Sequence, residues 1–157
     1  MTILRHIIMP LLILAASVPA VAQNRVEVSK SQQKLFVISQ KGDTLLSCKV
    51  STGKNPGNKQ RKGDLRTPEG QFRITEIKDA SSWTHDFGDG AGQRRGAYGP
   101  YFMRLATPPH TGIGIHGTCF PELLGTPSSE GCIRLHNDNL RALHKLVKVG
   151  TKVTVRP

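Results

Sequence analysis

From residue 25 onward, apolar and polar residues alternate with the period of two that marks half-buried strands. Val26 and Val28, then Leu35 and Val37, fall in two such runs within Arg25 to Ser39, separated by the polar stretch 29–33. These predict two strands joined by a turn. A second turn is expected at Lys41-Gly42-Asp43, followed by strands over Thr44 to Thr52, Gln71 to Ile77, Tyr101 to Ala106 and Gly112 to His116. One segment switches to helical spacing: Leu140, Leu143, Leu146 and Val147 share a face. Asn137 is expected to cap that helix, Asp138 to complement its positive end, and Lys145 and Lys148 to lie near its negative end. Gly150 stops it, and Thr151 to Val155 returns to strand alternation.

Two stretches carry no clear period. One is Gly53 to Gly70, rich in Lys and Arg. The other, Ala80 to Pro100, holds glycines at 88, 90, 92, 96 and 99 together with Trp83, Phe87 and Tyr98. A long loop inside a compact domain is usually functional or disordered, and the aromatic residues give this one something to bury, which favours order. An ordered flap bordering a cleft is therefore expected, with Trp83 or Tyr98 against whatever the cleft holds.

The N-terminus differs from the rest. Residues 1–22 carry only one formal charge, Arg5, and run apolar from Ile7 to Val18 before the small residues Ala20-Val21-Ala22. Pro10 interrupts the run, which falls short of a membrane span. A secretory signal over 1–22, cleaved after Ala22, is expected, leaving 23–157 as one domain. Export would place that domain in the periplasm or cell wall, with no stable membrane insertion after cleavage and, by expectation, as a monomer.

Charge changes the picture next. Lys and Arg number 22 against 11 Asp and Glu, a formal charge of +11. Such an excess ordinarily suggests nucleic acid, but an exported protein meets no nucleic acid. Outside the cytoplasm the acidic polymers are wall peptides with free carboxylates, anionic wall polymers and lipid head groups; a solvated basic surface is the plainer alternative.

Reactive side chains concentrate in Gly112 to Cys119 and Ser129 to His136. The intervals of His116, Cys119, Cys132 and His136 match a mixed zinc module, although such modules organise small domains without a core of their own. The competing reading is a nucleophilic thiol. Gly131 before Cys132 permits a tight turn in which the N–H groups of Gly131 and Cys132 converge on an oxyanion. His116, at the end of an apolar strand, is the best-placed base, and a neighbouring imidazole can lower a thiol pKa to roughly 3.5–7.5. Arg134, two positions past the thiol, shares its face if the segment is extended. It either holds a substrate carboxylate or pairs with Glu130 or Asp138. Three cysteines leave an odd one, so any disulfide is expected to join Cys48 to Cys119 and leave Cys132 free.

Ile115-His116-Gly117-Thr118 together with Ser129-Glu130-Gly131-Cys132-Ile133-Arg134-Leu135 resembles the signature of L,D-transpeptidase catalytic (YkuD-type) domains. Ser51-Thr52-Gly53-Lys54, Thr67 to Phe72 and Gly150 to Val153 resemble further patterns of that family. Glu130 departs from it, standing where many members carry a second His. The resemblance implies a mainly β fold, a YkuD-like β-sandwich of mixed sheets with one C-terminal helix and the Gly-rich flap. It implies a peptidoglycan transpeptidase, with Cys132 acylated by a tetrapeptide stem as D-alanine leaves, and the thioester resolved by an amine or by water. Cys132, His116 and Gly117 would be catalytic, the Gly117 carbonyl orienting the imidazole. Ser129, Arg134, Tyr98 and Trp83 would contact the stem peptide, and neither metal nor organic cofactor is called for. A secreted wall-binding protein of the same fold without catalysis is the alternative.

Overall fold

A computed structural model describes residues 23–157; the signal expected over 1–22 lies outside the described residues. The strands in chain order are β1 (Arg25–Ser29), β2 (Lys34–Ile38), β3 (Thr44–Ser51), β4 (Gly70–Asp79), β5 (Thr84–Asp86), β6 (Gln93–Arg95), β7 (Tyr101–Leu105), β8 (Gly114–His116), β9 (Ile133–Leu135) and β10 (Lys152–Arg156). The helix α1 spans Asn137–Leu146. Among the described residues no helix is long and apolar enough to cross a membrane.

Eight of the strands hydrogen-bond in the closed order β1-β10-β4-β7-β8-β9-β3-β2. Two long strands close the ring because each serves two ladders in succession. β4 pairs with β10 through Gly70 to Arg73, then with β7 from Ile74 to Asp79, with an irregularity between Ile74 and Glu76 at the changeover. β3 pairs with β2 up to Lys49 and with β9 at Val50 and Ser51. The result is the expected mixed β fold, two curved sheets that share β3 and β4 along their seams. Parallel pairing occurs at β1/β10 and β8/β9, antiparallel pairing elsewhere.

The period-two residues fill the interior. Val26, Val28, Leu35, Val37, Val50, Ile115, Ile133, Leu135 and Val153 are fully buried, and Leu140 and Leu143 of α1 join the same cluster. Each such side chain contributes about 1.5–3 kcal/mol of transfer free energy. Cys48 belongs to this core, and all three cysteines are free. The one pairing that the odd cysteine count left open, Cys48 with Cys119, is not formed, because β3 turns Cys48 inward as a small hydrophobe.

One local expectation is corrected and two elements are added. His136, not Asn137, caps α1, its Nδ1 accepting from Asp138 N–H at 3.3 Å, while Asp138 does lie in the first turn. β9 was not anticipated, since three residues are too few to show a period. The flap contains a hairpin, β5 paired with β6, whose polar sequence gives no strand alternation.

Candidate active site

β8 and β9 lie side by side in parallel, Ile115 opposite Ile133 and His116 opposite Arg134. Ile115 and Ile133 point into the core, so by the period of two Cys132, Arg134 and His116 face the other way. The flap covers that face. His85, Phe87 and Tyr98 close over it, and together with His116, Glu130, Cys132 and Arg134 they enclose a cavity of about 40 Å³. A larger, more open cavity of about 570 Å³ meets the first at Cys132 and Glu130, with Trp83, Tyr98, Lys62 and Arg104 on its walls.

His116 is held on several sides. Its Nδ1 lies 2.7 Å from the carbonyl oxygen of Gly117. A carbonyl only accepts, so in the neutral ring Nδ1 carries the proton and Nε2 presents its lone pair. The ring stacks on Phe102 at 5.7 Å between centroids and contacts Tyr98 at 4.8 Å. Tyr98 also accepts the Gly117 N–H on its backbone oxygen at 2.7 Å. Gly117 must be glycine: a Cβ there would run into Asn137 Oδ1 and the Cα of Gly99. Asn137, released from capping α1, accepts the Thr118 N–H at 3.1 Å instead.

The loop before β9 is braced as tightly. Gly131 sits at φ +135°, in the region that favours glycine. Ser129 is fully buried; its hydroxyl donates to the Cys132 carbonyl at 2.5 Å and accepts the Gly131 N–H at 3.1 Å. Thr67, reaching in from the stretch left unassigned by sequence, accepts the Gly53 N–H at 2.8 Å and donates to the Gly131 carbonyl at 2.9 Å. Cys132 Sγ contacts the Gly112 carbonyl at 3.4 Å. The model of the L,D-transpeptidase catalytic domain, YkuD, matches residues 23–155. The chain belongs to that family.

Its relatives within the family include YkuD of Bacillus licheniformis, 39% identical over 62 residues, covering 40% of this chain and 36% of that one. YqjB of Bacillus subtilis is 32% identical over 108 residues, covering 68% and 56%. The chain thus spans about a third to just over half the length of these relatives. Among solved structures, L,D-transpeptidase 3 from Mycobacterium tuberculosis, in complex with a faropenem-derived adduct, superposes with a TM-score of 0.65 at 19% identity, over 87% of this chain and 61% of that one. An L,D-transpeptidase from Mycobacterium smegmatis gives 0.62 at 20%, over 87% and 59%. At these identities the likeness is one of fold.

Burial sets the electrostatics of this family member's site. It pulls the His116 pKa down to about 3, aided by the cation of Arg134 and opposed by the Gly117 carbonyl. It pushes the Cys132 thiol up, against the Gly114 backbone and Arg134, which act the other way. The resting pair is therefore neutral thiol and neutral imidazole, and the lowered thiol pKa expected from the sequence is reversed in direction. Arg134 is 7% exposed, its guanidinium lies 5.2 Å from the Phe87 ring centroid, and its Nε has no hydrogen-bond partner. Among the described residues it forms no ion pair; Asp138 pairs with Arg141 instead. The alternative of a Glu130 or Asp138 partner is thereby set aside.

The zinc alternative fails on placement. Among the described residues no group of three or more His, Cys, Asp or Glu side chains is gathered to hold a metal. His136 turns to the start of α1 and His116 to Gly117, so His116, Cys119, Cys132 and His136 do not converge. His85, Asn137 and Thr67 are site residues that sequence reasoning missed. His85 Nδ1 lies 3.2 Å from the Tyr98 hydroxyl and Nε2 3.2 Å from Glu130 Oε2. His85 and Glu130 stand 45 residues apart, so their contact leaves no local signal in the sequence.

Proposed function

We propose that the protein is a cysteine-dependent peptidoglycan L,D-transpeptidase. The observation that carries this reading is the presence of Cys132 and His116 on one enclosed wall, with the imidazole oriented through Nδ1 and its other nitrogen unprotonated. Cys132 Sγ attacks the carbonyl that joins the third, L-centred residue of a stem tetrapeptide to its terminal D-alanine, and His116 Nε2 takes the thiol proton as the C–S bond forms. Because both groups rest neutral, proton transfer accompanies attack rather than preceding it. The Gly131 N–H is committed to Ser129, so the Cys132 N–H is assigned the main share of the oxyanion. The tetrahedral adduct then breaks its C–N bond, the imidazolium protonates the departing D-alanine nitrogen, and a thioester remains. An amine from a second stem resolves it into a 3→3 cross-link, and water resolves it into a shortened stem.

In this scheme Arg134, buried with an unpaired Nε, holds a stem carboxylate, and Tyr98 and Trp83 line the peptide's path. Ser129 acts by fixing the nucleophile loop. The basic surface suits a carboxylate-rich wall polymer, and the leader-like residues 1–22 suit export to the periplasm. Intact-mass measurement tests the scheme. Incubation with a stem tetrapeptide should add the acyl-tripeptide mass to the protein and release D-alanine, and Cys132→Ser should abolish both. A protein that binds the peptide yet never acquires the mass is the non-catalytic wall binder.

A further inference from the structure

Two cavities meet at Cys132, and they differ in size by an order of magnitude. The smaller, about 40 Å³, has room for little more than a water. A peptide nucleophile approaching a thioester on Cys132 must come through the larger one. The charged side chains on that approach are Lys59, Lys62, Arg104 and Glu130. Lys59 is paired with Asp64 at 2.7 Å and Arg104 with Glu76 at 3.2 Å, which leaves Lys62 and Glu130. Glu130 is the one carboxylate lining either cavity among the described residues, and it lines both.

Glu130 stands two residues before the nucleophile. Its nearest ionic contact is His85 Nε2 at 3.2 Å, without the alignment of a hydrogen bond, so the carboxylate oxygens keep their accepting capacity. His85 is tethered in turn to the Tyr98 hydroxyl at 3.2 Å, and the Tyr98 backbone oxygen accepts the Gly117 N–H, which holds this part of the flap at the end of β8. A carboxylate half-exposed beside a half-buried thiol, with its oxygens free to accept, is suited to a cation arriving from solvent.

We propose that Glu130 receives the ammonium group of the acceptor stem and so selects a cationic amine, rather than water, to resolve the thioester; this rests on the transpeptidase reading above. The ammonium docks on the carboxylate and gives one proton through it to solvent. The freed amine nitrogen then attacks the thioester carbonyl. As the C–N bond forms, its second proton passes to His116 Nε2, and as the C–S bond breaks that proton goes on to Cys132 Sγ. One amide, one thiol and one released proton balance the step.

The test uses the protein acylated by a stem tetrapeptide and measures the ratio of aminolysis to hydrolysis products by mass spectrometry. Two nucleophiles are compared: a second stem peptide with a free side-chain amine, and hydroxylamine, which is uncharged at neutral pH. Glu130→Gln should lower the ratio roughly tenfold for the cationic peptide, the worth of one charge-assisted hydrogen bond, and leave the hydroxylamine ratio unmoved. Raising the salt concentration should bring the native ratio toward that of the variant. An unchanged ratio with the cationic peptide overturns the assignment while leaving the transferase intact. An equal loss with hydroxylamine also overturns it, because the carboxylate then merely supports the loop. A protein that never becomes acylated overturns the transpeptidase reading itself.

Discussion

Thr67→Val probes the brace beneath the nucleophile with little change of shape. The Thr67 side chain is fully buried, and its hydroxyl accepts from Gly53 N–H and donates to the Gly131 carbonyl at the same time. Valine keeps the volume but strands both backbone groups out of reach of water. An unsatisfied buried donor or acceptor costs about 1–3 kcal/mol, so the pair should lose roughly 3 kcal/mol, a large part of the 5–15 kcal/mol that typically holds a domain together. For a domain of this size that corresponds to a fall in Tm of about 10 °C. Thr67→Ser retains the hydroxyl and loses one methyl group, about 0.8 kcal/mol. Urea denaturation monitored at Trp83 should therefore rank native, Ser and Val in that order with an unchanged m value. Gly131 also loses its anchor, so acylation of Cys132 should slow more in the Val variant than in the Ser variant. A Val variant within 0.5 kcal/mol of native, or a Ser variant as unstable as the Val variant, would refute the role given to this hydroxyl.

Further expectations follow from the same geometry. Gly117→Ala should cut the acylation rate by at least tenfold while Gly117→Ala/Asn137→Gly recovers part of it, because the added methyl collides with Asn137 Oδ1; rates of acylation by tetrapeptide check this. His116→Ala should slow acylation by about two to four powers of ten in the same assay. His116 is neutral when folded, with its pKa pulled down to about 3, so the unfolded state binds its proton first as pH falls below about 6.5. That contribution to stability is complete at pH 7 and should decline by about 1.4 kcal/mol per pH unit between roughly pH 6 and 3; urea titrations of native protein and His116→Phe across that window should differ in slope. Because burial raises the Cys132 thiol, its rate of alkylation by iodoacetamide should climb with pH without a plateau at pH 5–7, and such a plateau would indicate a resting thiolate–imidazolium pair instead.

Local pattern was enough for most strands. Val26, Val28, Leu35 and Val37 declare their faces because a strand with one side against a core must alternate, and the same logic located β4, β7, β10 and α1. The pair proposed to react was legible for a related reason: His116 ends an apolar strand, and Cys132 follows a glycine that permits a turn. The hairpin β5/β6 was not legible, since Thr84 to Asp86 and Gln93 to Arg95 are polar on both sides and are ordered by packing of Trp83, His85 and Tyr98 rather than by burial of their own strands.

What the chain order by itself determined is therefore the β character, the helix and the two segments that carry the proposed thiol and imidazole, all of which follow from neighbours within a few residues. What only the tertiary structure decided is how these are used. The brace from Thr67 to Gly131 spans 64 residues, Asn137 reaches Gly117 and Gly99 instead of capping its own helix, and His85 comes from the flap to face Glu130. The same closure buries His116 and half-buries Cys132, and desolvation reverses the direction of the thiol pKa that a neighbouring imidazole alone would give. Hydrogen-bond partners and desolvation depend on which segments meet in space, and that is settled only when the sheets join along β3 and β4 and the flap lies down on β8 and β9.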